Sequence, residues 1–194
     1  MILTKQYLAS EATKRSISSY SKSRIAEANS TVFSSTKEYD LFISHSYLDK
    51  QLVLTLVELF NQANYSVYVD WIEDGDLDRS AVTARTAEVI RNRLKQCRGL
   101  SYIATSSITN SKWCPWELGL ADGMHQGHAC ILPVVESGNA YTGSEYLGLY
   151  PYIDYSKTAN GKNYEFWVTD SKNPLLYTSL RSWLNGAPLI NHEK

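Results

Sequence analysis

Four short apolar runs, each separated from the next by a stretch of helical spacing, constrain this chain more than any other feature. Tyr39–Ser44 (YDLFIS), Ser66–Asp70 (SVYVD), Gly99–Thr105 (GLSYIAT) and Ala129–Val135 (ACILPVV) are rich in aromatic and β-branched residues and read as buried strands. Between the first two, Leu52, Val53, Leu56, Leu59, Phe60 and Ala63 fall on one helical face, with Asp49 placed as its N-cap. Val82, Val89, Ile90, Leu94 and Cys97 mark a second amphipathic helix. A third helix opens within Ser111–Met124 (SKWCPWELGLADGM), where Pro115 suits the first helical position because its missing N–H costs nothing there. Strands alternating with helices across short loops predict a parallel sheet covered on both faces, with right-handed crossovers. The expected class is α/β: a flavodoxin-like three-layer sandwich around a central parallel sheet.

Such sheets bind ligands beyond the carboxyl ends of the strands, where the strand order reverses. In a flavodoxin-like order that crevice lies between the first and third strands. Ser44, His45 and Ser46 border it on one side, and the segment leading to Glu117 borders it on the other. Glu117 falls in the first turn of the third helix, where the macrodipole favours a carboxylate. Trp113 and Trp116 flank it and can form a flat apolar wall. A carboxylate beside an aromatic wall suits a site that holds a ring and stabilises a cation. The same residues also fit a plain helix start, since first-turn acids offset the dipole and tryptophans usually pack in cores.

The two ends of the chain read less clearly. Residues 1–37 carry Lys5, Lys14, Arg15, Lys22, Arg24 and Lys37 against Glu11 and Glu27, with Ile17, Tyr20 and Ile25 loosely helical in spacing. They are expected to form a short helical extension or a partly disordered terminus. After Val135 a Gly- and Tyr-rich stretch precedes a short strand near Tyr152–Tyr155. NYEFWVTD follows as a strand or edge segment. Asn173–Asn185 is predicted to be a closing helix with Leu175, Leu176, Leu180 and Trp183 on its apolar face. The domain is set at 38–188, with 189–194 as a tail.

Composition excludes several classes. A formal net charge of -1 over 194 residues provides no global attraction for nucleic acid or anionic membrane. No apolar run reaches the length of a membrane span. Three cysteines, Cys97, Cys114 and Cys130, with no C-x-x-C spacing, argue against a disulfide framework and for a reducing cytoplasm. His125 and His128, with Asp122 nearby, lack a converging ligand set, so no metal is expected. Glu73, Asp74, Asp76 and Asp78 lack the spacing of a calcium loop. There is no P-loop, no G-x-G-x-x-G after a strand and no nucleophile elbow.

YDLFISHSYLDK resembles the first box of a TIR (Toll/interleukin-1 receptor) domain. VYVDWIEDGD stands where that family has its second strand and BB loop, SITNSKWCPWELG is similar to its S-x-W-C-x-x-E-L motif, and ILPVV resembles its fourth strand. The boxes occur in the expected order over roughly Glu38–Val135, and LGLYPYI resembles the late region of bacterial members. The resemblance implies one of two roles. One is an enzyme that cleaves the nicotinamide–ribose bond of NAD and makes ADP-ribose or a cyclic or modified form of it, a signal for a downstream effector in bacterial antiphage immunity. The other is a non-catalytic adaptor that binds other TIR domains. It implies self-association under both.

The position matching the catalytic glutamate of the enzymatic subset is Glu117. NAD is then substrate, and no cofactor is implied. Losing nicotinamide leaves an oxocarbenium-like ribose, which a carboxylate can stabilise or trap. Trp113 and Trp71 are candidates for the nicotinamide slot, and Ser44, His45 and Ser46 for ribose or phosphate contacts. Asp70, as a strand terminator, is a candidate to shape the pocket, and Arg79 and Arg85 to meet phosphate. The BB loop, WIEDGDLDR, lacks the proline of vertebrate receptor loops, which favours the enzyme.

Overall fold

Two strands placed side by side, far apart in order of synthesis, set the frame. The structure, a computed structural model, describes residues 1–15, 37–74, 82–108, 111–136, 145–158, 161 and 163–193. The expectations resting on Ile17, Tyr20, Ile25, Asp76, Asp78 and Arg79 lie outside these residues. Strand β2 (Tyr39–Ser44) pairs in parallel with β3 (Val67–Tyr68) on one side and with β4 (Cys97–Ala104) on the other. Beyond β4 come β5 (Ala129–Val135) and β6 (Tyr152–Lys157), also parallel. The order β3-β2-β4-β5-β6 is the expected flavodoxin-like one, with its reversal point between β2 and β4. The sheet then continues antiparallel through β7 (Tyr164–Thr169), β8 (Leu176–Ser179) and β9 (Ile190–Asn191), so it is mixed rather than wholly parallel.

Helices cover both faces, which is why the central strands are apolar almost throughout. On one face Leu41, Ile43, Ile103 and Leu132 meet Val53, Leu56, Leu59 and Phe60 of helix α2 (Lys50–Gln62). On the other, Phe42, Leu100, Tyr102 and Ile131 meet Ile90 and Leu94 of α4 (Ala84–Lys95) and Leu118 and Ala121 of α5 (Cys114–Met124).

Three local expectations need correction. The paired part of the second strand is only Val67–Tyr68, and Asp70, expected to end that strand, opens the short helix α3 (Asp70–Glu73) instead. The second helix starts at Ala84, because Thr83 caps it by accepting from the Thr86 amide at 3.0 Å; Val82 is left exposed outside it. Asn173–Asn185 is not one helix. Its Thr178 pairs with Val168 of β7, and only Leu180–Leu184 is helical (α6), capped by Ser179. The leucine spacing is helical, but strand pairing wins over Leu176–Ser179.

The N-terminal helix α1 (Lys5–Lys14) is present, preceded by an unforeseen strand, β1 (Leu3–Thr4). β5 touches β6 only around Ile131 and Tyr152, then β1 takes over beside Val134 and Val135. The Met1 carbonyl accepts from the Tyr155 amide, so the first residues run between two diverging strands. Pro133 marks the handover. The Ile131 amide donates toward β6, to Pro151 O at 2.9 Å. Two residues on, the same edge of β5 has a proline, which has no N–H to offer. The missing donor thus falls where one neighbour has ended and the next has barely begun.

Gly99 shows how tight the sheet is under α6. A Cβ there would lie 2.7 Å from the His128 carbonyl oxygen and 3.1 Å from Leu184 Cδ2. That carbonyl already accepts from the Leu100 amide. Gly99→Ala is expected to destabilise the fold by about 2 kcal/mol, lowering Tm by roughly 4–8 °C in a calorimetric scan.

Candidate active site

The start of α5 is pinned to the end of β2. The Cys114 amide donates to Ser111 Oγ at 3.2 Å, and the Cys114 thiol, fully buried, lies 3.2 Å from the His45 carbonyl oxygen. The Glu117 amide donates to Trp113 O at 2.8 Å, closing the first helical turn. Glu117 is thereby set over the carboxyl end of β2 with no solvent-exposed surface, and its carboxylate accepts from Ser44 Oγ at 2.6 Å. A buried carboxylate is costly without such partners, and a hydroxyl–carboxylate bond this short is the strong, charge-assisted kind. Ser44 and Glu117 therefore meet at the reversal point of the strand order.

His45 continues from Ser44 onto the opposite flank. Its Nε2 accepts from the Trp71 indole N–H at 2.8 Å, so Nδ1 carries the proton and donates to Ile43 O at 3.0 Å. The Asp70 carboxylate lies 3.7 Å from the same Nε2, and both groups are buried. Trp71, half-buried, packs its ring edge toward His45 and carries the Lys50 ammonium 5.1 Å from its ring centroid. Trp71→Phe keeps a ring but removes the donor to His45. Because His45 is buried, losing that donor is expected to cost about 1 kcal/mol of stability and lower Tm by roughly 2–4 °C in a melting curve.

The other predicted residues fall as follows. Ser46 is buried but serves the backbone, accepting from the Leu48 amide at the start of a 3-10 turn, Tyr47–Asp49. Asp49, expected to cap α2, makes no side-chain cap; its carboxylate accepts from Thr105 Oγ1 at 2.6 Å and ties the loop after β2 to the end of β4. Trp113 is buried in the core under α5, and it meets Trp116 edge-on, centroids 5.5 Å apart at 73°. The two indoles do not make a flat wall. Arg85 is exposed on α4.

The acidic residues after β3 hold the segment in place. Arg93, buried on α4, forks onto the Asp74 carboxylate, which also accepts from Tyr68 OH at 2.7 Å. Burial, with Asp74 beside it, pushes the Tyr68 phenol well above its ordinary range. Glu73 accepts from Tyr39 OH at 2.7 Å and pairs with Lys37 at 2.8 Å. Among the described residues no group of three or more His, Cys, Asp or Glu converges as a metal site, and no helix is long and apolar enough to cross a membrane. Sequence reasoning missed Thr105, Asp49 as its partner, and Tyr102. Tyr102 stands in register with Ser44 across β2 and β4. An aromatic residue within an apolar strand run carries no sequence signal that separates such a neighbour from core.

The chain is similar to known proteins over most of its length. The profile of a TIR domain family (TIR_2) matches residues 41–167. A protein of Bacillus cereus (strain MSX-D12), named "Probable 3' cyclic ADP-D-ribose synthase ThsB'", is 43% identical over 154 residues, 78% of either chain. A protein of Cytobacillus dafuensis, named "Putative cyclic ADP-D-ribose synthase TIR2", is 33% identical over 96 residues, 49% of this chain and 25% of that protein. Among solved structures, the TIR domain of the Toll-related receptor TRR-2 from Hydra magnipapillata shares 20% identity, covering 59% of this chain and 82% of that one at a TM-score of 0.43. The strand order and the family match together settle the lineage: this chain belongs to the TIR domain family.

Proposed function

We propose that the chain cleaves NAD between nicotinamide and ribose and closes the remaining ADP-ribose into a cyclic form. The observation that carries this reading is the fully buried Glu117 carboxylate, held at 2.6 Å by Ser44 at the reversal point of the sheet. Two relatives named as cyclic ADP-D-ribose synthases support it.

Breaking the bond sends its electron pair out with nicotinamide and leaves positive charge on the ribose carbon. A carboxylate fixed in a dry site stabilises that charge far better than water does, because it needs no reorganisation as the charge develops. Ser44 holds the plane of the Glu117 carboxylate. Trp71, kept in place by His45, offers an indole as the slot for the departing ring. Asp70 shapes the same flank. The nucleotide product then acts as a diffusible signal for an effector that recognises it, the place of such an enzyme in antiphage immunity.

The test is mass spectrometry of NAD incubated with concentrated protein. Release of nicotinamide with a second product one water lighter than ADP-ribose is the expected result. If no nicotinamide appears, Glu117 is only a buried helix-start residue and the chain is an interaction module.

A further inference from the structure

Glu117 and Ser44 have no exposed surface, so their neighbours decide what reaches the carboxylate. Tyr102 is in register with Ser44 on the adjacent parallel strand, and paired residues of neighbouring parallel strands present their side chains to the same face. Its ring therefore lies beside the Ser44–Glu117 bond. Tyr102 is only 2% exposed, and Tyr146 lies close to it. Burial, with Tyr146, Cys114 and Glu117 nearby, keeps the Tyr102 phenol protonated far above neutral pH.

Tyr146 is 42% exposed. It sits on a 3-10 turn, Glu145–Leu149, whose Leu147 packs on the same core cluster as Trp113, Leu118 and Tyr102. Just after the turn, Tyr150 OH donates to Asp122 on α5 at 3.4 Å, fastening the turn to the helix that carries Glu117. From the carboxylate outward the series on this flank is thus Ser44, Tyr102, Tyr146 and then solvent.

The chemistry gives that series a task. Once nicotinamide has left as a neutral molecule with the electron pair, the ribose carbon bonds to an oxygen. If the oxygen is water's, the product is ADP-ribose; if it belongs to a hydroxyl of the same molecule, the product is a ring. In either case the new C–O bond forms, and the incoming oxygen gives its proton to the Glu117 carboxylate and thence to solvent. Water is in great excess, so cyclisation requires its exclusion while the cation lasts.

We infer that the Tyr102–Tyr146 pair is the water barrier on this flank and sets the partition between cyclised and hydrolysed product. The inference rests on the NAD-cleaving function proposed above.

The experiment measures the ratio of ADP-ribose to cyclic product by mass spectrometry for wild type, Tyr146→Ala, Tyr146→Phe and Tyr102→Phe. The ratio is independent of how much of each protein is folded, which separates a barrier from a merely structural role. Tyr146→Ala is expected to raise the ratio about tenfold, a change of about 1.4 kcal/mol in the competition between the two oxygens. The two phenylalanine variants keep the rings but remove one hydroxyl from the barrier, and are expected to raise it roughly threefold. A ratio within about twofold of wild type in Tyr146→Ala overturns the inference, as does a wild-type protein that yields ADP-ribose alone. A wild type that releases no nicotinamide is seen before any variant is compared, and it removes the proposed function and this inference together.

Discussion

Glu117→Gln is expected to lower kcat for NAD cleavage by about a thousandfold, equivalent to about 4 kcal/mol of lost transition-state stabilisation. The substitution is chosen to isolate charge. Glutamine has nearly the volume of glutamate, and its amide oxygen still accepts from Ser44 Oγ, the bond that is 2.6 Å long in the native protein. Glu117 touches no solvent, so water screens its carboxylate less than it would an exposed one. Because the charge matters only once the ribose carbon turns positive, KM is expected to change little while kcat falls. Nicotinamide release followed against time, with a melting curve on the same preparation, checks both parts. A fall in kcat of less than about tenfold would mean that Glu117 is not the group facing the cation.

The second large effect concerns stability. A chain lacking residues 1–15 is expected to lose about 3–6 kcal/mol, at about 1.5–3 kcal/mol for each large apolar side chain it can no longer bury. The two side chains are Leu3 and Leu8, each 2% exposed, and both belong to the core cluster that includes Val53, Leu132 and Phe166. Deletion also uncovers Val134, which pairs with Leu3, and removes the Met1 carbonyl that accepts from Tyr155. Set against a usual total of about 5–15 kcal/mol, such a loss leaves the protein marginal. Urea denaturation would show it as a lower midpoint. An unchanged midpoint would show that the sheet closes as well without its first strand.

The parts of the fold that were legible in advance share a physical cause. β2, β4 and β5 are covered on both faces, so YDLFIS, LSYIA and ACILPVV stand out as apolar against their flanks. Glu117 was legible because Pro115 marks the helix start and the helix follows the third strand. What stayed hidden depended on partners distant in sequence. Two residues, Leu3 and Thr4, become a strand only because β5 and β6 part beside them. Leu176–Ser179 carries helical spacing but is claimed by the edge of β7. Tyr102 looks like any core aromatic until the register sets it against Ser44. The Trp113–Trp116 wall failed because side-chain orientation at a helix start is set by packing, and Trp113 turns into the core.

The placement of β1 also has a consequence for biosynthesis. Leu3 leaves the ribosome long before its neighbour in the sheet, Val134. Helix α1 can meet α2 as soon as α2 is made, but Leu3 has no strand to pair with until β5 follows. A nascent chain stalled before β5 therefore keeps an unpaired apolar strand, the kind of segment a chaperone holds, until the strand that completes the sheet arrives.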